Sequence, residues 1–80
     1  MVRVSDEYLD VKGLLCPMPV IRTQNRIKTL AGGVILRVVG SDPGMLADIP
    51  AWCRINGHRV LTLERGEGEY TVRLEVGATG

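Results

Sequence analysis

Toward the end of the chain, Tyr70, Val72, Leu74 and Val76 alternate with Glu69, Thr71, Arg73 and Glu75. A period of two puts one apolar and one polar face on a strand, so Glu69 to Val76 is predicted to be half-buried. Gly66-Glu67-Gly68 marks a hairpin from a preceding strand over Arg59 to Glu64. Val34 to Val39 is apolar except for Arg37, which suits a central strand buried on both faces or nearly so. Tyr8 to Val11 reads as a short first strand. Two helices fill the gaps, over Pro17 to Leu30 and Asp42 to Asn56. Asp42 is placed as an N-cap, Pro43 at the first helical position and Gly57 just past the end. Pro50 lies inside the second helix, where it removes one hydrogen bond and should kink it.

The order βαβαββ implies an α+β fold: a two-layer sandwich with two helices on one face of a four-stranded sheet. Eighty residues leave room for a single domain, with its ordered part over about 8–76 and frayed ends from Gly77 to Gly80. With no Phe and one Trp, the core must come from Val, Leu, Ile and Met.

Charge and cysteine count narrow the chemistry. A formal charge of +1 and three aromatic side chains do not suit a nucleic-acid binder. Gly13 to Ile21, nearly apolar but carrying two prolines, is too short to span a bilayer. The first residues lack the apolar core of a signal peptide, so a cytoplasmic location and no membrane partner are expected. Two Cys and one His fall short of a four-ligand zinc site, and two Cys in a reducing compartment do not make a disulfide framework. No resident metal or cofactor is expected. A domain this small presents a reactive group to larger partners rather than enclosing a substrate.

Cys16 is the most informative residue. It precedes Pro17, Met18 and Pro19, and prolines are tolerated in a first helical turn because those N–H groups have no intrahelical partner. This pins a helix start at Pro17 and places Cys16 at the N-cap, facing free N–H groups and the positive end of the helix dipole. Such a site favours a thiolate, or equally a persulfide anion. Cys is a poor cap, giving up about 1 kcal/mol against Ser, Asp or Asn, which a functional thiol explains better than a buried one.

At 100° per residue, Val20, Thr23, Ile27, Leu30 and Ala31 share the face expected to meet the sheet. Met18 and Ile21 point away from it, with Arg22 and Asn25 on the same outer side. Two apolar side chains beside a reactive thiol suggest a docking surface, unless a neighbouring loop covers them. Arg22, Arg26 and Lys28 read as a solvated face or the rim of that surface. Cys53 shares an apolar face with Leu46, Ile49 and Trp52 and reads as core, as does Trp52. His58, at a helix-to-strand corner, reads as structural or solvated, with a Cys-His pair to Cys16 as the sharper alternative.

Leu9-Asp10, Gly13-Leu14, Cys16-Pro17-Met18-Pro19, Asp42-Pro43-Gly44, Asp48-Ile49-Pro50 and Gly57-His58 occur in the order found in the TusA-like sulfur carriers, also called the SirA family. The resemblance covers roughly Tyr8 to Val76. It implies a mixed four-stranded sheet, similar to the C-terminal domain of translation initiation factor three. It further implies that Cys16, supported by Gly13, Pro17 and Pro19, accepts sulfane sulfur as a transient persulfide. The donor would be a cysteine desulfurase or rhodanese, and the sulfur would pass to the Cys of an acceptor protein. Destinations in the family include tRNA thiolation, molybdenum-cofactor biosynthesis and dissimilatory sulfur metabolism. Many members of the tRNA-thiolation type carry Glu where Met18 stands, which points to a different docking partner. The rival reading is a non-catalytic regulatory or protein-binding module on the same fold, against which the intact Cys16, Pro17 and Pro19 argue. A monomer is expected.

Overall fold

The computed structural model describes residues 6–77. The expected fraying from Gly77 to Gly80 falls, from position 78 on, outside the described residues. Six elements follow in order: β1 (Asp6–Val11), α1 (Met18–Ile27), β2 (Ile35–Gly40), α2 (Met45–Asn56), β3 (Arg59–Arg65) and β4 (Tyr70–Glu75). The predicted α+β class holds. One mixed sheet has the order β1-β2-β4-β3, with β1 and β2 parallel and β4 antiparallel to both neighbours.

The apolar pattern explains the layering. Val11 from β1, Leu36 and Val38 from β2, and Val72 and Leu74 from β4 are fully buried under the helices. Thr23 and Ile27 of α1, and Met45, Ile49 and Cys53 of α2, close the layer from the other side. Leu36 pairs with Leu74 and Val38 with Val72 across the two central strands, so the apolar sets sit on one face. At roughly 1.5–3 kcal/mol for each fully buried aliphatic side chain, strands and helices both contribute substantially to the apolar stabilisation.

The other sheet face is open, which corrects the expectation that β2 is buried on both sides. Val39 is covered there, but Arg37 is exposed because both helices pack on the opposite face. In α1 the predicted inward stripe holds at Thr23 and Ile27, with Val20 and Leu30 half-buried, but Ala31 lies beyond the helix and is exposed. The helix stops at Ile27 rather than Leu30. The N–H groups of Thr29 and Leu30 bond three residues back, to Arg26 and Ile27, tightening the last turn. Helix α2 runs continuously through Pro50 and ends at Gly57, whose φ of +82° is the left-handed cap expected of glycine there.

Both helix starts differ from the sequence reading. Pro17, not Cys16, occupies the N-cap of α1, because the N–H of Met18 closes a turn back onto the Leu15 carbonyl at 2.9 Å. Gly44, not Asp42, precedes α2. The Asp42 carboxylate accepts the N–H of Gly44 at 3.0 Å and caps the turn leading into the helix instead. The Cys16–Pro17 peptide is cis.

Candidate functional site

The parallel strands β1 and β2 end side by side, with Val11 opposite Gly40. The loops into α1 and α2 therefore emerge from the same edge of the sheet, where βα loops commonly build sites. Two hydrogen bonds tie these loops together. The N–H of Gly13 donates to Ser41 Oγ, and the N–H of Cys16 donates to Asp42 Oδ2, both at 2.9 Å. Gly13 adopts φ +84°, the left-handed turn that reverses the chain after β1. Gly40 has no room for a side chain: a Cβ there would stand 2.5 Å from Met45 Sδ and 2.9 Å from Val11 Cγ2.

Cys16 sits at the centre of this edge, exposed, and its thiol donates a hydrogen bond to Asp48 Oδ2 in the first turn of α2. The expectation of a lowered thiol pKa is therefore overturned. The hydrogen bond to Asp48, with lesser contributions from desolvation and from the negative charges of Asp48 and Asp42, pushes the thiol from 9.0 up to about 11. The helix dipole does not reach the sulfur, which lies one residue outside the cap and bonds to Asp48 of α2. Asp42 itself is held below the usual carboxylate range by the N–H groups of Gly44 and Cys16.

Beside these carboxylates, exposed apolar side chains flank Cys16 along the chain. Leu15 is 74% exposed, Met18 36% and Ile21 39%. Arg22 and Asn25 are exposed beside them, so the predicted outward set lies on one surface. Pro19 is buried and Pro17 exposed. Arg26 is not a free rim charge, because it pairs with Glu7 at 2.6 Å. Sequence reasoning missed Leu15, Asp42 and Asp48 as members of the site. The two aspartates belong to the Asp42-Pro43-Gly44 and Asp48-Ile49-Pro50 elements of the family resemblance, which was the available signal. For Leu15 there was none, since one apolar residue in a loop resembles a core residue.

The other candidates lie elsewhere. Cys53 is fully buried, and burial pushes its thiol up to about 11. It faces the core, which excludes a resolving role in this arrangement. His58 follows the far end of α2, which runs roughly 12 Å beyond Asp48. Its Nδ1 accepts the N–H of Gly77 at 2.9 Å, and its ring stacks on Trp52 with centroids 5.2 Å apart. A Cys16–His58 pair is thereby ruled out. Trp52 is half-buried against the core rather than inside it. Its ring, His58 and Ile27 help line a cavity of about 330 Å³ at the edge opposite Cys16. Among the described residues no group of three or more His, Cys, Asp or Glu could hold a metal ion, and no helix is long and apolar enough to cross a membrane.

Comparison with known proteins finds relatives in sequence and in fold. The family described as sulfurtransferase TusA matches residues 7–76. The sulfur carrier protein TusA of Pseudomonas aeruginosa (strain PAO1 among others) is 37% identical over 70 residues, 88% of this chain and 89% of its own. YrkF of Bacillus subtilis (strain 168) is 46% identical over 61 residues, 76% of this chain but only 32% of YrkF, so this chain spans about a third of that relative. Among solved structures, a SirA-like protein from Desulfitobacterium hafniense superposes with a TM-score of 0.76 at 24% identity, covering 88% of this chain and 96% of that one, which shows the shared fold.

Proposed function

The chain belongs to the TusA family, and we propose that it is a sulfur carrier whose working atom is the Cys16 sulfur. In this reading Cys16 accepts sulfane sulfur from a donor protein such as a cysteine desulfurase or rhodanese, holds it as a persulfide, and passes it to a cysteine of an acceptor protein. It is a sulfurtransferase that acts as the co-substrate of its partners, in tRNA thiolation, cofactor biosynthesis or dissimilatory sulfur metabolism.

The observation that carries the proposal is an exposed cysteine at the start of α1, next to exposed Leu15 in the chain and followed within five residues by exposed Met18 and Ile21. Transfer between two proteins brings two sulfurs together in line, so the contact must surround the donor atom. A partner used briefly and released calls for a small interface, below about 1,200 Å² in total. Leu15, Met18 and Ile21 would form its apolar centre, with Arg22 and Asn25 at its rim. Gly13, Pro17 and Pro19 hold the loop and helix start that present the thiol.

The test is intact-mass measurement after incubation with a persulfide donor, followed by peptide mapping. A gain of one sulfur on Cys16 supports carriage. A chain that stays unmodified leaves the binding-module alternative, and sulfur found on Cys53 instead overturns Cys16 as the working atom.

A further inference from the structure

We propose that Asp48 is a latch on Cys16: its carboxylate holds the thiol proton in the empty protein and keeps the sulfur unreactive toward free electrophiles. The inference rests on the carrier reading above and adds how its sulfur is controlled.

The geometry is specific. Cys16 comes from the β1–α1 loop and Asp48 from α2, thirty-two positions later, and the thiol is the donor in their contact. Among the described residues, Asp48 has no salt-bridge partner to share its charge. The thiol's other charged neighbour is Asp42, which accepts the backbone N–H of the same cysteine. Among the described residues no salt bridge engages either carboxylate. Helix α1 carries no charged side chain before Arg22, and Lys12, on the loop leading to Cys16, is engaged by Glu69 at 3.8 Å. A thiol that donates to a carboxylate is stabilised, whereas a thiolate in its place meets like charge and loses the bond. Both effects act in the same direction, against ionisation.

The reactive form is the thiolate, so the latch bears directly on loading. In loading, Cys16 releases its proton, and its sulfur attacks the outer sulfur of a donor persulfide. The donor's S–S bond breaks, a new S–S bond forms on Cys16, and the departing donor thiolate takes up one proton. The thiol and persulfide exchange roles, with no external oxidant or reductant. Holding the proton on Cys16 slows the first event. An exposed cysteine at the tip of a small protein would otherwise be open to any passing electrophile, and the latch reserves it for a partner whose docking disturbs the Asp48 contact.

The experiment compares the wild-type chain with Asp48→Ala, which removes hydrogen bond and charge together, and Asp48→Asn, which removes only the charge. Asp48 is exposed in the first turn of α2, and thermal melts verify that both variants stay folded. Alkylation of Cys16 by iodoacetamide is followed against pH, with the site read by peptide mass. The wild-type midpoint is expected near 11, and that of Asp48→Ala near the ordinary 9.0. At pH 8 this means roughly a hundredfold more thiolate, offset roughly tenfold by its lower intrinsic nucleophilicity, for a net gain of about tenfold in rate. Asp48→Asn should fall between the two. Uptake of sulfur from glutathione persulfide should rise in the same order. An unchanged alkylation profile in Asp48→Ala overturns the latch while leaving the carrier reading intact. Slower sulfur uptake in that variant also overturns it, because Asp48 would then be assisting loading as a base. If the profile shifts as expected but neither wild type nor variant takes up sulfur, the carrier reading falls instead, and the role of the latch in loading falls with it.

Discussion

Ile21 and Ile27 lie six residues apart on α1, and replacing each by alanine separates docking from folding. Both substitutions delete three side-chain carbons, worth about 0.8 kcal/mol each when fully buried. Ile27 is 7% exposed and packed in the core, so its truncation loses nearly all of that and leaves a cavity. The expected cost is about 3 kcal/mol. For a domain of this size, that lowers Tm by roughly 12–24 °C. Ile21 is 39% exposed and opens to solvent, so no cavity remains, and alanine's better helix propensity returns a few tenths of a kcal/mol. The expected loss is below about 1 kcal/mol, within roughly 8 °C. Three readouts are compared: thermal melts, sulfur loading from a small-molecule persulfide, and transfer to a protein acceptor. Ile21→Ala should impair only the last, by weakening a contact at the rim of the thiol. If Ile21→Ala melts as low as Ile27→Ala, or if it transfers sulfur to the protein acceptor at the wild-type rate, the assignment of this helix face to docking is refuted.

The remaining predictions concern single sites. Cys16→Ser should abolish sulfur loading with little change in Tm, because the side chain is exposed, and mass mapping should find no sulfur on Cys53. Met18→Glu should reduce protein-to-protein transfer but not small-molecule loading, as measured by parallel mass assays of the two steps. Gly40→Ala should destabilise by about 1–3 kcal/mol in a denaturant titration, because its Cβ would press on Met45 and Val11. Desolvation lowers the His58 pKa below 6.5. The folded state therefore binds fewer protons at this site, and the associated stability is present above pH 6.5 and lost as pH falls through the folded pKa. Protonation also removes the acceptor for the Gly77 N–H, so His58→Gln should flatten the decline in Tm measured between pH 7 and pH 5.

Periodicity was most informative where an element faces the core on one side. The alternation in β4, the inward stripe of α1 and the glycine that ends α2 are local consequences of strand pleat, helix pitch and left-handed backbone. Helix starts were less legible, since they depend on which of several polar groups captures the first free N–H. Asp42 looked like a cap for α2, yet its carboxylate divides between Gly44 and Cys16, and the second partner is twenty-six positions away. The exposure of Arg37 followed from the same limitation. A nearly continuous apolar run fits a strand covered on both faces, and only the placement of both helices on one face shows that the other is open.

The Cys16 thiol shows most clearly how local and tertiary electrostatics can oppose one another. Along the chain the nearest influence is the start of α1, and a sulfur at its cap would meet N–H groups favouring the thiolate. In the fold, one further residue of separation removes the sulfur from that cap, and the parallel pairing of β1 and β2 brings the start of α2 alongside it. A dipole effect of about 0.3–1 kcal/mol, confined to the first turn, then competes with a full carboxylate charge in direct hydrogen-bond contact. The carboxylate prevails, and the thiol rises instead of falling. The same sheet edge that presents the cysteine to partners thus supplies the group that restrains it. For a carrier this combination is coherent, because exposure is needed for transfer while restraint limits reaction to encounters in which the Asp48 contact is disturbed.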